Sequence, residues 1–324
     1  MEQFTNYKLD LSLIEIGLFF TSYSFFLIIC IKYKNPFLNQ VRSYNMGKMI
    51  LLCVMVCIFF LLYMVWEAFR NRIIEHTLFF PDLPNSFSGK RVFFISDIHR
   101  RIIPQQLIDQ IESKVDYVII GGDLTEKGVP LSKTKENLTL LTSMGPTFFV
   151  WGNNDYEVDL TKFRHLLNEL NVKILENQSE TLFFDEKEQV NLIGIGEVSF
   201  ELDDINKALR TVDSTAFNII CCHNPRILSK IKNSASTRLF LCGHTHGGQI
   251  NFFGKGIYPV GKLYHLPLYD VLISNGYGTT KLPMRFWAKS EVHLITLIRG
   301  ERKTISRAKV SELSKFQNEI GTKI

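Results

Sequence analysis

The chain has 324 residues, 46% of them hydrophobic and 21% charged, which excludes a disordered protein and allows one sizeable α/β domain with something smaller beside it. Its 37 Lys and Arg outweigh 32 Asp and Glu to leave a net charge of +5 and a pI near 8.8, but the surplus is spread over apolar flanks and the tail, which argues against nucleic acid as a partner. The six cysteines show neither zinc-knuckle spacing nor a redox pair, so they read as core or membrane residues and no disulfide framework is expected.

Two apolar stretches come first. Residues 11–31 are interrupted only by Glu15 and a few hydroxyls, and residues 49–66 carry no charge. A helix needs about 20 such residues to cross a bilayer, so two transmembrane helices are expected. Tyr63 and Trp66 stand near the far end of the second, where interfacial aromatics belong. A cleaved signal peptide fits the first less well, because a short basic start is missing and no small-residue cleavage site precedes the second. Lys32, Lys34, Arg42 and Lys48 between the spans put that loop in the cytoplasm and both chain ends outside.

After Glu67 the composition changes, and residues 73–80 read as an extended strand joining the domain that follows. Five apolar runs then each end on a polar segment. Residues 91–96 precede Asp97-Ile98-His99, residues 115–120 precede Gly121-Gly122-Asp123, and residues 146–151 precede Gly152-Asn153-Asn154-Asp155. Residues 216–222 precede His223, and residues 238–242 precede Gly243-His244-Thr245-His246. Such runs read as strands buried on both faces, and ligands of open α/β sheets gather beyond the carboxyl ends of strands. Between them, residues 160–170 carry Phe163, Leu166, Leu167 and Leu170 at helical spacing, which puts His165 at the surface. His76 and His293 read as strand residues, and the tail after Ile298 as a solvated, weakly periodic helix.

Asp, Asn and His offered together suit Mn, Fe, Zn or a similar ion. Two aspartates, one asparagine and four histidines are too many for one ion, whereas two ions sharing a carboxylate use them all. Asp123, alone after its strand, is the natural bridge. Two ions about 3.5–4 Å apart hold a hydroxide between them and clamp the oxygens of an in-line displacement at phosphorus, which is phosphoester hydrolysis.

The series resembles the calcineurin-like metallophosphoesterase superfamily, whose pattern runs Asp-x-His, Gly-Asp, Gly-Asn-His-Asp/Glu, a lone His and Gly-His-x-His. The likeness extends from Leu83-Pro84 to Ile295, through Cys222-His223-Asn224-Pro225 and the Gly247-Gly248-Gln249 that follows the last motif. The stretch from Asn275 to Arg285, with Glu291, looks like a bacterial branch whose members are membrane-anchored or exported, some of them cleaving lipid-linked sugar nucleotides. The resemblance implies a four-layer αββα sandwich over residues 71–299, between a two-helix anchor at 1–70 and a polar charged tail at 300–324. It implies one metal on Asp97, His99 and His246 and another on Asn153, His223 and His244, with Asp123 bridging and manganese the first choice of ion.

One position departs from the pattern. The family histidine after the asparagine contacts the scissile phosphate and assists the leaving group; here it is Asn154, an amide that donates a hydrogen bond but transfers no proton. Such proton transfer is worth about 10²–10⁴-fold. Asn154 and Asp123 are therefore expected at the catalytic centre of an enzyme that prefers diesters or pyrophosphates to alkyl monoesters. Arg100 and Arg101, with planar guanidinium groups suited to phosphate, are expected substrate contacts, as are Arg285 on family likeness and His265 in the loop after the last motif.

Together these features describe a membrane-anchored, dinuclear-metal phosphohydrolase on the outer side of the cell membrane. Its site, close to the bilayer, favours lipid-linked, nucleotide-sugar or other envelope substrates, and no obligate protein partner is evident. Two readings of other classes stay open: a metal-bound scaffold or sensor with little catalysis, and a cytoplasm-facing nucleotide phosphodiesterase.

Overall fold

The computed structural model describes residues 36–184, 188–213, 215–231, 237–252, 258 and 260–301. The first expected span at 11–31, Lys32, Lys34 and the tail beyond residue 301 lie outside these. The first described element is a helix, α1 (Pro36–Ala68). Within it Asn45–Ala68 is long and apolar enough to cross a membrane, the one such helix among the described residues. Arg42 and Lys48, expected in a loop, lie inside α1, because no proline follows Pro36 to break the run and Gly47 alone is too weak a breaker. Contacts divide the chain after Phe60, so the last turns of α1 from Leu61 belong with everything that follows.

That second unit continues as β1 (Ile73–Phe80), β2 (Arg91–Ile95), α2 (Gln105–Ile108), β3 (Tyr117–Ile120), α3 (Leu131–Met144), β4 (Thr147–Phe149), α4 (Leu160–Glu169) and β5 (Lys173–Ile174). Then come β6 (Gln178–Phe184), β7 (Gln189–Gly194), α5 (Ile205–Leu209), β8 (Phe217–Cys221), α6 (Ile227–Lys230), β9 (Thr237–Cys242), β10 (Leu263–His265), β11 (Asp270–Ile273) and β12 (Val292–Arg299). The strands form two six-stranded sheets, ordered β1-β12-β2-β3-β4-β5 and β10-β11-β9-β8-β7-β6. β12 threads between β1 and β2, parallel to the first and antiparallel to the second.

Alternation along each strand explains the layering. Val92 and Phe94 of β2 point into a core between the sheets with Leu192, Ile219 and Leu239, while Phe93 and Ile95 point outward to Leu138, Leu141 and Phe163 of α3 and α4. On the other sheet Ile193, Ile220 and Phe240 pack outward against Ala208, Ile227 and Leu228 of α5 and α6. Strands buried on both faces are apolar throughout, so the result is four layers, helix–sheet–sheet–helix. α4 begins where the Asp159 side chain accepts from the Lys162 N–H, and His165 faces solvent.

Candidate metal centre

β2, β3, β4, β8 and β9 end at Ile95, Ile120, Phe149, Cys221 and Cys242, and their carboxyl ends deliver the five polar segments to one place. Two groups of ligand atoms lie there within 4.8 Å of one another: Asp97, His99 and His246, and Asp97, Asp123 and His223, all buried. Asp123 Oδ2 reaches into both halves, 3.7 Å from His99 Nε2 and 3.2 Å from His223 Nε2. Asn153 Oδ1 and His244 Nδ1 stand 2.9 Å apart beside them.

The donor set fits divalent ions on its own evidence. His223 Nδ1 lies 2.8 Å from the Gly121 carbonyl oxygen, which holds the ring proton on that side. Nε2 is then left buried with no hydrogen-bond partner, facing the carboxylates of Asp123 and, at 3.9 Å, of Asp97. A buried imidazole nitrogen set against two buried carboxylates is a donor set that a divalent cation would satisfy. A second gathering of ligand atoms lies where His99 Nε2 and His246 Nε2 approach to 3.1 Å and His246 Nε2 comes within 3.3 Å of Asp97 Oδ1.

Backbone strain is concentrated on the same residues. Asp97, His99, Asp123, His244 and His246 all have φ between 49° and 71°, a region non-glycine residues avoid unless their surroundings impose it. The surroundings are glycines. A Cβ on Gly152 would meet the Asp123 N and Oδ1 at 2.3 Å, and one on Gly243 would meet Asp97 Oδ2 at 2.5 Å. Only chain without side chains lets the carboxylates sit this close to their neighbours.

A second layer fixes the first. His99 Nδ1 faces the Glu126 carboxylate at 2.9 Å, and Glu126 in turn takes the Arg100 guanidinium. Asp155 accepts from the N–H groups of Asp123, Thr125 and Gly152. Burial, and then the nearby Asp123 carboxylate, push the Asp155 carboxyl up to about 8 against those three donors. For Asp123 and His223 burial opposes charge on both, yet their mutual attraction wins, holding Asp123 below the usual carboxylate range and His223 well above the usual imidazole one. Burial, with His99 and Arg285 nearby, drives His246 well below its ordinary value and keeps it a neutral imidazole.

A cavity of about 480 Å³ opens on this cluster, lined by Asp123, Asn153, Asn154, His244 and His246 on one side and by Gln249, Tyr258, Thr280, Lys281 and Leu282 on the other. Asn154 thus lines the cavity beside the candidate ligands. Its Oδ1 accepts from the Asn153 amide at 2.8 Å, which turns Asn153 Oδ1 towards His244, and its backbone N–H donates to Asp123 Oδ1 at 2.8 Å.

The four expected substrate contacts do not line this cavity. Arg100 pairs with Glu126 and donates to the Lys127 carbonyl. Arg101 is buried and donates to the Ala68, Phe69, Arg70 and Tyr277 carbonyls, Asn71 Oδ1 and Ser290 Oγ, clamping the chain just past α1. Arg285 is fully buried; it donates to the Asn275, Gly276, Gly278 and Ala288 carbonyls, and its Nη2 lies 3.3 Å from His246 Nδ1. His265 sits on β10, half exposed, 3.0 Å from Asp270. Each is committed to holding backbone or a neighbouring side chain, which a basic residue beside a motif does as readily as binding phosphate. Of the residues not singled out from the sequence, two carried a usable signal: Gln249 closes the run after the last motif, and Lys281 lies in the stretch from Asn275 to Arg285; the supporting Glu126 carried none.

A family model described as calcineurin-like phosphoesterase matches residues 90–248, from the strand before the first ligand to the turn after the last. Phosphodiesterase YaeI of Escherichia coli is 30% identical over 191 residues, 55% of this chain and 67% of its own length. The chain belongs to the calcineurin-like phosphoesterase family. Bacillus subtilis YpbG, an uncharacterized protein, is 42% identical over 64% of this chain and 80% of its own. A zebrafish "transmembrane protein with metallophosphoesterase domain" is 26% identical over 80% of this chain and 64% of its own. Metallophosphoesterase membership makes a metal-dependent phosphoesterase with a phosphoester substrate the class of activity here.

Proposed function

We propose that this metallophosphoesterase is anchored in the membrane by α1, holds two divalent ions, and cleaves a phosphodiester or pyrophosphate on the outer face of the cell. The observation that carries the reading is the pair of buried ligand groups around Asp97 and Asp123, where carboxylate oxygens and imidazole nitrogens converge within 4.8 Å of one another. Asp97, His99 and His246 would hold one ion, Asn153, His223 and His244 the other, and Asp123 both; manganese suits the mixture of oxygen and imidazole donors. Bound there, such ions supply Lewis acidity and an activated nucleophile at neutral pH.

The chain's own part is positioning. Asn154 would present its amide to a phosphate oxygen and Lys281 a cation across the cavity, while the Gln249 amide holds the Thr280–Leu282 segment in place. Neither amide can transfer a proton to an alkoxide leaving group, which favours substrates whose leaving group departs as a stable anion. The basic residues before the span, the apolar window Asn45–Ala68 and the name of the zebrafish relative support the anchored, outward-facing arrangement. Purified protein with added Mn should hydrolyse bis(4-nitrophenyl) phosphate, and Asp123→Ala should lose at least roughly 100-fold of that rate together with bound metal. Unchanged metal content in Asp123→Ala, or faster turnover of alkyl monoesters than of diesters by the wild type, would overturn the assignment.

A further inference from the structure

The wall of the cavity opposite the ligands is one end of a longer surface. Thr280, Lys281 and Leu282 line the cavity, and Gln249 ties them to the metal-motif turn by donating to the Leu282 carbonyl at 2.9 Å and accepting from the Thr280 N–H at 3.1 Å. Three residues later the same loop meets the end of α1: the Arg285 N–H donates to the Met64 carbonyl at 2.9 Å. From there aromatic rings run without a break. Trp66 lies 5.9 Å from Tyr63, Tyr63 6.3 Å from Phe286, and Phe286 5.1 Å from Phe252 and 6.1 Å from Trp287.

This belt is solvent-facing. Phe252, Leu282 and Trp287 are 51%, 60% and 47% exposed, and Trp66 56%. Lys281 and Trp287 both have positive φ, 57° and 68°, so the loop holds strained backbone where it displays these side chains. Exposed cations accompany the rings: Lys281 and Lys289 on the loop, and Arg70 stacked 4.6 Å over the Trp66 ring. Large exposed apolar side chains fringed by cations and continuous with the last turns of an apolar span are what an anionic headgroup region accommodates.

We infer that residues 280–287 with Phe252 form a bilayer-docking rim. The rings and Leu282 enter the interfacial zone beside α1, Lys281 meets a lipid phosphate, and the cavity receives its phosphoester from the membrane surface as a headgroup rather than from bulk solvent. The inference rests on the anchored-phosphohydrolase reading above and narrows its substrate to phospholipid-like esters.

Fluorescence separates the two. The chain has three tryptophans, and Trp151 is fully buried, an internal reference. Full-length Trp66→Phe, which leaves Trp287 and Trp151, and Trp287→Phe, which leaves Trp66 and Trp151, are reconstituted into phosphatidylcholine–phosphatidylglycerol vesicles with and without bromine on the upper acyl chain. The expected result is a loss of emission in brominated vesicles for both variants, the Trp287 signal quenched alongside that of Trp66. Quenching of Trp66 without quenching of Trp287 overturns the rim and leaves the anchor standing; quenching of neither overturns both. Hydrolysis of bis(4-nitrophenyl) phosphate by the same vesicles reports on the phosphohydrolase reading independently.

Discussion

Asn154 has two jobs that pull on different measurements. Facing the cavity it would, on the function proposed above, shape which ester is cleaved, and as an acceptor it turns the Asn153 amide so that Oδ1 meets His244. Asn154→Ala should therefore weaken metal binding by about 10-fold, read by titrating activity with Mn, because partners of ligands typically contribute on that scale. Asn154→His should raise alkyl monoester turnover relative to diesters, by restoring a group able to protonate the leaving oxygen. Five of the seven expected ligands gather in the two buried groups, with Asn153 and His244 beside them, and they could be read from the sequence because metal chemistry demands particular atoms and few residue types carry them. Arg101 and Arg285 could not, since nothing local distinguishes a guanidinium aimed at phosphate from one spent on six acceptors of its own fold. Glu126 escaped for the same reason: its value comes from touching His99 across a turn.

Among elements, the end of α1 is where the chain leaves its apolar span for the sandwich. The last carbonyls of a helix lack intrahelical partners, and Arg101 supplies donors to Ala68, Phe69 and Arg70 just there. Arg101→Lys keeps the charge but brings three donors to six acceptors, and should destabilise the catalytic unit by about 3 kcal/mol in a thermal or denaturant melt. A loss under about half a kilocalorie would show that the clamp is ornamental. The β1–β12 seam gives a pH prediction. His76 Nε2 and His293 Nδ1 lie 3.1 Å apart, with His265, Asp270 and Glu291 around them. Burial lowers both imidazoles, and His293, lowered also by His76, falls to about 3. The unfolded chain binds protons at about 6.5, so stability is complete above that pH and declines by a few kcal/mol as pH falls towards 3. Melting temperatures of the wild type should drop between pH 7 and pH 5 more steeply than those of His293→Gln. The strands themselves were readable from their double-sided apolar runs, and the extended segment at residues 73–80 from its composition. The continuation of α1 back to Pro36 was not, because polar residues such as Asn39 and Arg42 are as compatible with a helix as with a loop.

At the scale of the whole molecule the open variable is sidedness. With the catalytic unit outside, a reporter fused after Ile324 should be active only in its periplasmic or extracellular form, and carbonate washing should leave the protein in the membrane pellet; an active cytoplasmic reporter would move the substrate pool to the nucleotides inside. The sheet order adds a matter of timing. β1 lies next to β12, the last strand among the described residues, and β12 also separates β1 from β2. A ribosome adding 5–20 residues per second needs roughly 10 to 40 seconds to travel from one strand to the other. Throughout that interval β1 lacks its partner and β2 has an open edge, so a nascent chain stalled before Val292 exposes unpaired strand edges of the kind that aggregate, whatever its ligand residues have already found.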